Sequence, residues 1–445
     1  MDDYRQYFNV ARRNVSDKAR CYLAGLVTKA PRKNMERMEE YVEEYDYQAQ
    51  QQFLSDSPWS HEELDRRIGR ELNELIGGDD STLVIDESGF AKKGVKSAGV
   101  ARQWNGRVGK VDNCQVGVFA ALSNGQHVGL VSKRLYLPKE WTRDRKRCEG
   151  AKIPGTQRRY RSKTQLAWEM IQEGVADGLH FGWIALDALY GSCPWLLFQI
   201  DDIGKRFVAD VRGNQHVYAE DPEPYLPRRK EAVGRKFTRR RARTKSVRVD
   251  TLFDSLPHQC WSKVEVREGT RGTLTVWAAR QRVWVWDGKE PEARCWWAVC
   301  TIDCESGDRK WFLSNAAGSV TLTAMVRKHA DRYWIERAFQ DAKTSLGMAD
   351  YQARGWVAWQ HHMSMVMLAM LFMIRERMLH LRDIELLSFP DLVELLTVYL
   401  PRADVDPEAV RRNIERRHRK RQASIESARR RQKQRPHGSR LEVTK

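Results

Sequence analysis

The chain has 445 residues, a formal net charge of +18 and a sequence pI of about 9.6. This length accommodates two or three domains with a large core, and the excess of positive charge indicates a polyanionic partner. The start has no apolar signal region, and the longest apolar run, Met363–Ile374, is too short to cross a bilayer. We therefore expect neither a secreted nor a membrane protein, and we predict a buried helix at that run.

The positive charge is concentrated in two segments. Arg411–Lys445 carries 14 Lys/Arg against 3 Asp/Glu, and Arg228–Arg248 carries 11 against 1, which leaves the rest of the chain nearly neutral. Such local basicity favours an electrostatic footprint for nucleic acid over general solubility. In the second segment, Arg239, Arg240 and Arg241 are candidate DNA contacts.

The eight cysteines form no CxxC pair and no regular framework. Cys295, Cys300 and Cys304 cluster in a stretch rich in Trp and Val, which favours core thiols on a strand over a zinc site. Reduced cysteines indicate a cytosolic protein.

Residues 1–78 form the first predicted unit. Their pattern is helical and is broken at Ala30-Pro31 and Ser57-Pro58, with a turn at 56–60 that leads into a capped helix. Two interpretations remain open: a small helical domain that binds DNA ends, or helices that only pack against the rest of the protein.

The pattern of residues 79–214 predicts the first part of an α/β domain. "STLVIDESGF" is a buried strand ending in Asp86, two strands joined by Asn124-Gly125 follow, and after a helix "FGWIALDALYG" is another strand ending in Asp187. Carboxylates at two strand ends indicate a site at that edge of the sheet. The glycine-rich segment 99–110 is either a phosphate contact through Arg102 and Lys110 or a surface loop.

The remaining chain divides into three predicted units. Residues 215–318 begin with the basic run and continue as alternating β-structure, which indicates a β-rich insertion. Residues 319–400 are helical in pattern, and residues 401–445 are a basic tail. No internal repeat is evident.

One predicted helix, "DRYWIERAFQDAKTSLG", carries two stripes side by side. Glu336 and Lys343 lie about 40° and 20° around the helix from Arg332, while Ile335 and Phe339 start an apolar stripe. By itself, the charged stripe also fits a solvated helix face with i,i+4 pairs.

Three carboxylates together are consistent with metal-dependent phosphodiester cleavage, which a single carboxylate would not support: Asp86, Asp187 and Glu336. Phosphodiester cleavage uses two divalent cations held about 3.5–4 Å apart, and carboxylates suit Mg²⁺ or Mn²⁺. Glu87 is excluded as a ligand because successive strand residues point to opposite faces.

At this point the sequence resembles a known family. Arg332-x3-Glu336-x6-Lys343 is similar to the tyrosine-arginine-glutamate-lysine signature of DDE-class bacterial insertion-sequence transposases, in the insertion-sequence-four superfamily. Four separated blocks, including "GVARQWNGRVGKVDNCQVGVFAAL" and "FGWIALDALYG", resemble its seven-oh-one group in the expected order.

The resemblance implies an RNase H-like core interrupted by a β-rich insertion, with Asp86, Asp187 and Glu336 as catalytic residues that hold two Mg²⁺ or Mn²⁺ ions. It implies that Arg332 and Lys343 contact DNA phosphate near the cleavage site. The signature tyrosine would fall at His329, where this chain departs from the pattern.

The implied function is cut-and-paste transposition by a bacterial cytoplasmic, nucleoid-associated enzyme. It would bind the terminal inverted repeats of its element, pair them as a homodimer, cleave each end and join the freed end to target DNA. Two alternatives remain: a domesticated DNA-binding protein without catalysis, and a DNA endonuclease without strand transfer.

Overall fold

The structure, a computed structural model, describes residues 1–10, 13–227, 237–269, 272–380, 387–400 and 406–433. Within these ranges the chain is a mixed α/β protein, as the sequence predicts. Ten of the described strands form one large mixed sheet. Part of the basic run 228–248 and both ends of the predicted tail 401–445 lie outside the described residues.

In chain order, the strands are β1 (Asn9–Val10), β2 (Arg13–Asn14), β3 (Gly78–Ala91), β4 (Ala101–Asn105), β5 (Lys110–Ser123), β6 (Val128–Leu135), β7 (Phe181–Leu186), β8 (Arg206–Val211), β9 (His216–Val217), β10 (Val247–Arg248), β11 (Ser262–Gly269), β12 (Gly272–Val285), β13 (Arg294–Asp303) and β14 (Arg309–Ser314).

The helices are α1 (Arg5–Phe8), α2 (Ser16–Leu26), α3 (Met35–Met38), α4 (Tyr47–Ser55), α5 (His61–Ile76), α6 (Lys139–Thr142), α7 (Arg145–Gly150), α8 (Lys163–Ala176), α9 (Ala188–Gly191), α10 (Pro194–Asp202), α11 (Val249–Asp254), α12 (Leu322–Ala330), α13 (Tyr333–Ser345), α14 (Trp356–His380), α15 (Phe389–Tyr399) and α16 (Pro407–Lys433).

Strand β3 joins the parallel and the antiparallel parts of the sheet. The strand order is β11-β12-β13-β14-β8-β7-β3-β5-β4, with β6 also paired to β5. On one side β3 runs parallel to β7, which runs parallel to β8. On the other side β3 is antiparallel to β5, and β5 is antiparallel to β6. Ile85 pairs with Leu186 in the parallel ladder of β3 and β7, so the residues that follow them, Asp86 and Asp187, come side by side. The prediction that the first strand ends at Asp86 is wrong, because pairing with β5 continues β3 to Ala91.

The predicted insertion, residues 215–318, adds strands to this same sheet. Strand β14 pairs antiparallel with β8, with Phe312 opposite Asp210, and β13, β12 and β11 follow in order. Trp296 is buried against Phe198 and Phe207, so part of the unusual tryptophan content forms core. Trp277, in contrast, is more than one-third exposed.

The three clustered cysteines differ in burial. Cys300 on β13 is buried, whereas Cys295 and Cys304 are exposed, and all eight cysteines are free. The expectation of core thiols is therefore confirmed for Cys300 and is wrong for the other two, because they lie at the ends of the strand and beyond it.

The N-terminal helices share a core with α14. Tyr22 Oη lies 2.8 Å from His362 Nδ1, and the two ring nitrogens of His361 lie 2.9 and 3.1 Å from the carbonyl oxygens of Leu54 and Trp59. In the described part of the chain, α14 is the helix long and apolar enough to span a membrane, but 89% of its most apolar window is buried inside the protein. The run 363–374 is thus a buried helix, as predicted.

A buried ion pair joins these helices to the sheet. Lys133 on β6, only 1% exposed, bonds to Asp65 on α5 and donates to Ser364 Oγ on α14 at 2.8 Å. Ser364 in turn donates to the second Asp65 oxygen at 2.6 Å. Each polar group in this triangle therefore has a partner, as buried charges require.

Candidate active site

Asp86 and Asp187 lie side by side where β7 ends against β3. Asp86 follows the buried residues Leu83, Val84 and Ile85 of β3, and its Oδ1 accepts a 2.7 Å hydrogen bond from the Glu87 N–H. Asp187 follows the last residue of β7 and caps α9, since its Oδ1 accepts from two backbone N–H groups of that helix. These local bonds fix both carboxylates while leaving one oxygen of each for another partner.

The two carboxylates raise the free energy of each other's charged form. Burial raises the pKa of Asp86 to about 7, and the charge of Asp187 contributes in the same direction. Burial also raises the pKa of Asp187, although the backbone N–H groups of α9 partly offset it. Two desolvated carboxylates at close range are an arrangement that a cation stabilises.

Arg332 extends into the centre of the acidic cluster. Its Nε lies 3.0 Å from Asp210 Oδ2, its Nη2 lies 3.1 Å from Glu336 Oε1, and its Nη1 lies 3.8 Å from Asp86 Oδ2. One guanidinium therefore contacts carboxylates from β3, β8 and α13. It provides the positive charge nearest to Asp86 and Asp187.

Glu336 is on the first turn of α13, and its side chain is 53% exposed. Its ion pair with Arg332 holds it on the outer side of the guanidinium. Among the described residues, no group of three or more His, Cys, Asp and Glu side chains comes together as a metal-binding cluster. The structure thus brings Asp86 and Asp187 together and connects Glu336 to them through Arg332.

Asp210 and His329 belong to this cluster, although the sequence analysis did not propose Asp210. Asp210 lies on β8, one strand beyond Asp187, and its Oδ1 bonds to His329 Nε2 at the end of α12. The His329 ring stacks on Phe312 with centroids 4.2 Å apart and planes 8° apart. Burial acts to raise the pKa of Asp210, but His329 and Arg332 outweigh burial and lower it.

A pattern in the sequence contained part of this information. Asp210 stands near the end of "RFVADV", as Asp86 and Asp187 stand after apolar runs. The pairing of β7 with β8, which brings Asp210 close to the other two, is not encoded in any local pattern. For His329 the sequence gives only its departure from the signature.

Lys343 lies at the far end of α13, beside the continuation of β3. Its Nζ is 5.9 Å from the Phe90 ring centroid and 5.6 Å from that of Phe339. Phe90 follows Asp86 by four residues on the same strand, so Lys343 borders the site. Glu87 forms an ion pair with Lys163 at 2.5 Å. It points away from Asp86, as expected from the alternation of side chains along a strand.

The other predicted DNA contacts lie in separate places. Arg102 and Lys110 are exposed on the paired strands β4 and β5, where Trp104 is also 55% exposed. In the described part of the basic run, Arg239 and Arg241 are exposed, with Arg240 partly buried between them. The described contacts of Arg241 are local: its backbone pairs with Tyr225, and its guanidinium faces the Phe237 ring.

A cleft of about 220 Å³ opens beside the acidic cluster. Strands β11, β12 and β13 and the β13–β14 turn form one wall, and helices α12 and α13 form the other. Its lining includes Arg332 and Glu336, together with Tyr333, whose ring is covered by the Arg267 guanidinium at 3.8 Å. The cluster is therefore open to solvent on the side of the predicted insertion.

Comparison with known proteins identifies a family and a relative. Residues 3–273 match the family described as DDE superfamily endonuclease, a range that contains Asp86 and Asp187 and ends before Glu336. The chain is also 25% identical over 360 residues to a protein of Microchaete diplosiphon named "Probable transposase for insertion sequence element IS701". That alignment covers 79% of this chain and 81% of the relative. Because the family match spans more than half of its length, the protein belongs to the DDE superfamily endonucleases.

Proposed function

We propose that the protein is the transposase of a bacterial insertion sequence of the seven-oh-one group. It binds the terminal inverted repeats, pairs two ends as a homodimer, cleaves them and joins the freed 3′-hydroxyl to target DNA. It acts in the cytoplasm, on the nucleoid. The family match and the transposase relative support this proposal, as do the two basic segments.

The observation that carries the proposal is the buried pair Asp86 and Asp187. A fold gains no stability by bringing two carboxylates together on neighbouring strands and raising the pKa of one to about 7. Perturbed carboxylates of this kind cluster at functional sites. We infer that this pair, with Glu336, is catalytic.

Of the three proposed metal ligands, two are placed so that they could bind a hard divalent cation without rearrangement. Asp86 and Asp187 supply buried carboxylate oxygens, and a cation would relieve their mutual repulsion. Glu336 fits as a third ligand once its ion pair with Arg332 opens. When bound, two Mg²⁺ or Mn²⁺ ions would activate the attacking oxygen and stabilise the leaving one.

The two cations of the signature have separate tasks in this proposal. Arg332 presents Nη1 and Nη2 toward the acidic cluster and can grip a phosphate with two hydrogen bonds. Lys343, beside Phe90, adds a positive charge on the other flank of Asp86. Both would stabilise charge that develops on the scissile phosphate.

We further propose that the central strands form an RNase H-like core. The support is the strand pattern β6-β5-β3-β7-β8, in which three antiparallel strands and three parallel strands share β3. Residues 215–318 would then be the insertion between the second Asp and the Glu. The N-terminal helices would bind DNA ends, and Arg102, Lys110 and Arg239–Arg241 would contact DNA along its path.

The test uses the full chain and a labelled duplex that carries one inverted repeat with flanking DNA. In Mg²⁺ we expect cleavage at the repeat boundary and, with supercoiled plasmid present, covalent joining of the end to the plasmid. Cleavage at the boundary without joining would reduce the proposal to an endonuclease. Binding without cleavage in both Mg²⁺ and Mn²⁺ would overturn catalysis altogether.

A further inference from the structure

Arg332 has two edges with different surroundings. Its Nε edge meets Asp210 at 3.0 Å, while Nη1 and Nη2 meet Asp86 and Glu336, the residues proposed to act in catalysis. Any change that frees Glu336 must break the Nη2 contact. The Nε contact need not change, because it uses a different nitrogen and a different carboxylate.

The Nε edge is held by a chain of buried groups. Asp210 uses both oxygens, one for Arg332 and one for His329 Nε2, and its side chain is only 17% exposed. His329 is in turn fixed by its stack on Phe312, which pairs with Asp210 across β14 and β8. The sheet therefore supports Asp210 directly through its backbone and indirectly through the imidazole.

We propose that Asp210 and His329 are positioning residues that anchor the Nε edge of Arg332, leaving the Nη edge to exchange carboxylate partners for DNA phosphate. This inference rests on the proposed function, since it assigns Arg332 a phosphate to bind. It also gives a role to His329, which stands where the signature has tyrosine: its imidazole bonds to Asp210. Asp210 acts through Arg332 and is not itself a metal ligand in this proposal.

The anchor has a measurable consequence for the metal. Without Asp210, the guanidinium has no partner at Nε and is free to settle closer to Asp86 and Glu336. There it would compete with a divalent cation for the same oxygens. Loss of Asp210 should therefore weaken metal binding. This weakening should occur only in a protein that still has Arg332.

The experiment measures Mn²⁺ binding to the DNA-free protein by calorimetry and, separately, the Mn²⁺ concentration for half-maximal end cleavage. For Asp210→Ala we expect both to shift 3- to 10-fold toward weaker binding. In an Arg332→Ala background, the same Asp210→Ala change should shift neither by more than about twofold. Asp341→Ala, which removes another buried partner of an arginine on α13, is the matched control and should leave metal binding unchanged.

The double variant distinguishes anchoring from a general field effect. Asp210 carries a negative charge near the site, so its removal would weaken cation binding even without Arg332 if only the field mattered. An equal shift in both backgrounds would overturn the inference, as would no shift in the wild-type background. If Asp210→Ala does not fold, Asp210→Asn keeps the shape of the side chain and is measured instead.

Variants of His329 test the second half of the anchor. His329→Phe keeps a ring on Phe312 and removes the nitrogen that bonds to Asp210, so it should reproduce part of the shift. His329→Gln supplies an amide N–H donor for Asp210 and should restore metal binding to the wild-type level. A His329→Phe protein with wild-type metal binding would remove His329 from the proposal.

These outcomes are separable from the fate of the proposed function. Wild-type protein that neither binds Mn²⁺ nor cleaves end DNA would overturn the proposed function. Wild-type protein that does both, with Asp210→Ala behaving identically, would overturn only the anchor.

Discussion

Asp65 and Asp86 are both buried aspartates beside another charged group, and their pKa values move in opposite directions. Burial alone would raise both. At Asp65, Lys133 and His61 outweigh burial and lower the pKa to about 2. At Asp86, burial and the charge of Asp187 act together, and the pKa rises to about 7.

The difference separates a structural charge cluster from the one that we propose to be functional. The Asp65 cluster joins α5, β6 and α14 with each oxygen satisfied by a partner within the protein. The Asp86 cluster keeps an excess of negative charge that Arg332 compensates only partly. Burial alone therefore does not mark a candidate site, and the uncompensated charge of two adjacent carboxylates is the feature that favours a functional role for the Asp86 cluster. Five predictions test this contrast, beginning with the largest effect.

Removing a carboxylate of the functional cluster should abolish cleavage. For Asp187→Ala, Asp86→Ala or Glu336→Ala we expect at least about a thousandfold loss of end cleavage, equivalent to roughly 4 kcal/mol. Binding of end DNA in a gel-shift assay should be largely retained, because these side chains contribute little to DNA affinity. An Asp187→Ala protein that nicks at near the wild-type rate would show that the pair is not catalytic.

Removing Lys133 should lower stability and leave cleavage nearly unchanged. Lys133→Ala leaves Asp65 buried without its cation, so we expect a loss of about 3–5 kcal/mol in the free energy of unfolding. Urea denaturation gives this value, and cleavage per folded molecule should stay within about twofold. The paired change Lys133→Met with Asp65→Leu removes both charges and should recover most of the stability. A loss below about 1 kcal/mol for Lys133→Ala would mean that this cluster is not structural.

The cations beside the functional cluster should act on rate more than on stability. We expect Lys343→Ala and Arg332→Ala to slow single-turnover cleavage about tenfold to a thousandfold, or roughly 1.4–4 kcal/mol. The melting temperature should hardly move for Lys343→Ala, whereas Arg332→Ala also removes a partner of Asp210 and should lower it. Arg337, which pairs with Asp341 on the same helix, is the control. If Arg337→Ala and Lys343→Ala are equally harmless to cleavage, the signature interpretation of α13 fails.

The two aspartates should also differ in the pH range over which they affect stability. The native pKa of Asp86 lies above its ordinary value of 3.8, so native protein binds the extra proton and stability falls as pH rises from about 4 to 7. The native pKa of Asp65 lies below 3.8, so its contribution is complete above that pH and is lost only as pH falls toward 2.

Asp86→Asn should therefore stabilise the metal-free protein, by roughly 1–3 kcal/mol at pH 7.5 and by much less at pH 4.5. Unfolding free energies of wild type and variant, measured by urea titration at both pH values, give the comparison. A stability difference that does not depend on pH would show that Asp86 does not titrate in this range.

The exposed charges of α16 should give the smallest effect. Arg416 and Arg417 are ion-paired with Glu39 and Glu40 at 2.8 and 3.3 Å, so part of the basic helix is neutralised by the N-terminal region. Cutting the chain after Leu400 should weaken DNA binding and reduce the slope of log affinity against log salt. An unchanged slope would assign the tail to solubility.

The proximity of Asp86 and Asp187 could be predicted from the sequence because buried strands are locally encoded. The apolar runs before the two residues predict such strands, and the parallel pairing of β3 with β7 makes the residues neighbours. Helical spacing predicts that Arg332 and Glu336 share a stripe, and they form an i,i+4 ion pair, which both the solvated-face interpretation and the family signature allow.

What the sequence did not reveal depends on contacts between distant segments. Asp210 joins the cluster because β8 lies beside β7, and His329 joins it because α12 ends against β8 and β14. The extension of the sheet by β11–β14 likewise rests on the pairing of β14 with β8. The domain boundaries and the catalytic assignments remain predictions.

The shared core of the N-terminal helices and α14 has a consequence for synthesis of the protein. Leu54 and His361, which meet in that core, are separated by 307 positions. At about 5–20 residues per second, the ribosome needs roughly 15–60 s to make the second after the first. During that interval the faces of the N-terminal helices that pack on α14 lack this partner, although α5 can already pack on β5 and β6. We therefore expect a gene truncated before α14 to yield a polypeptide in which those faces stay uncovered and which chaperones bind or proteases degrade.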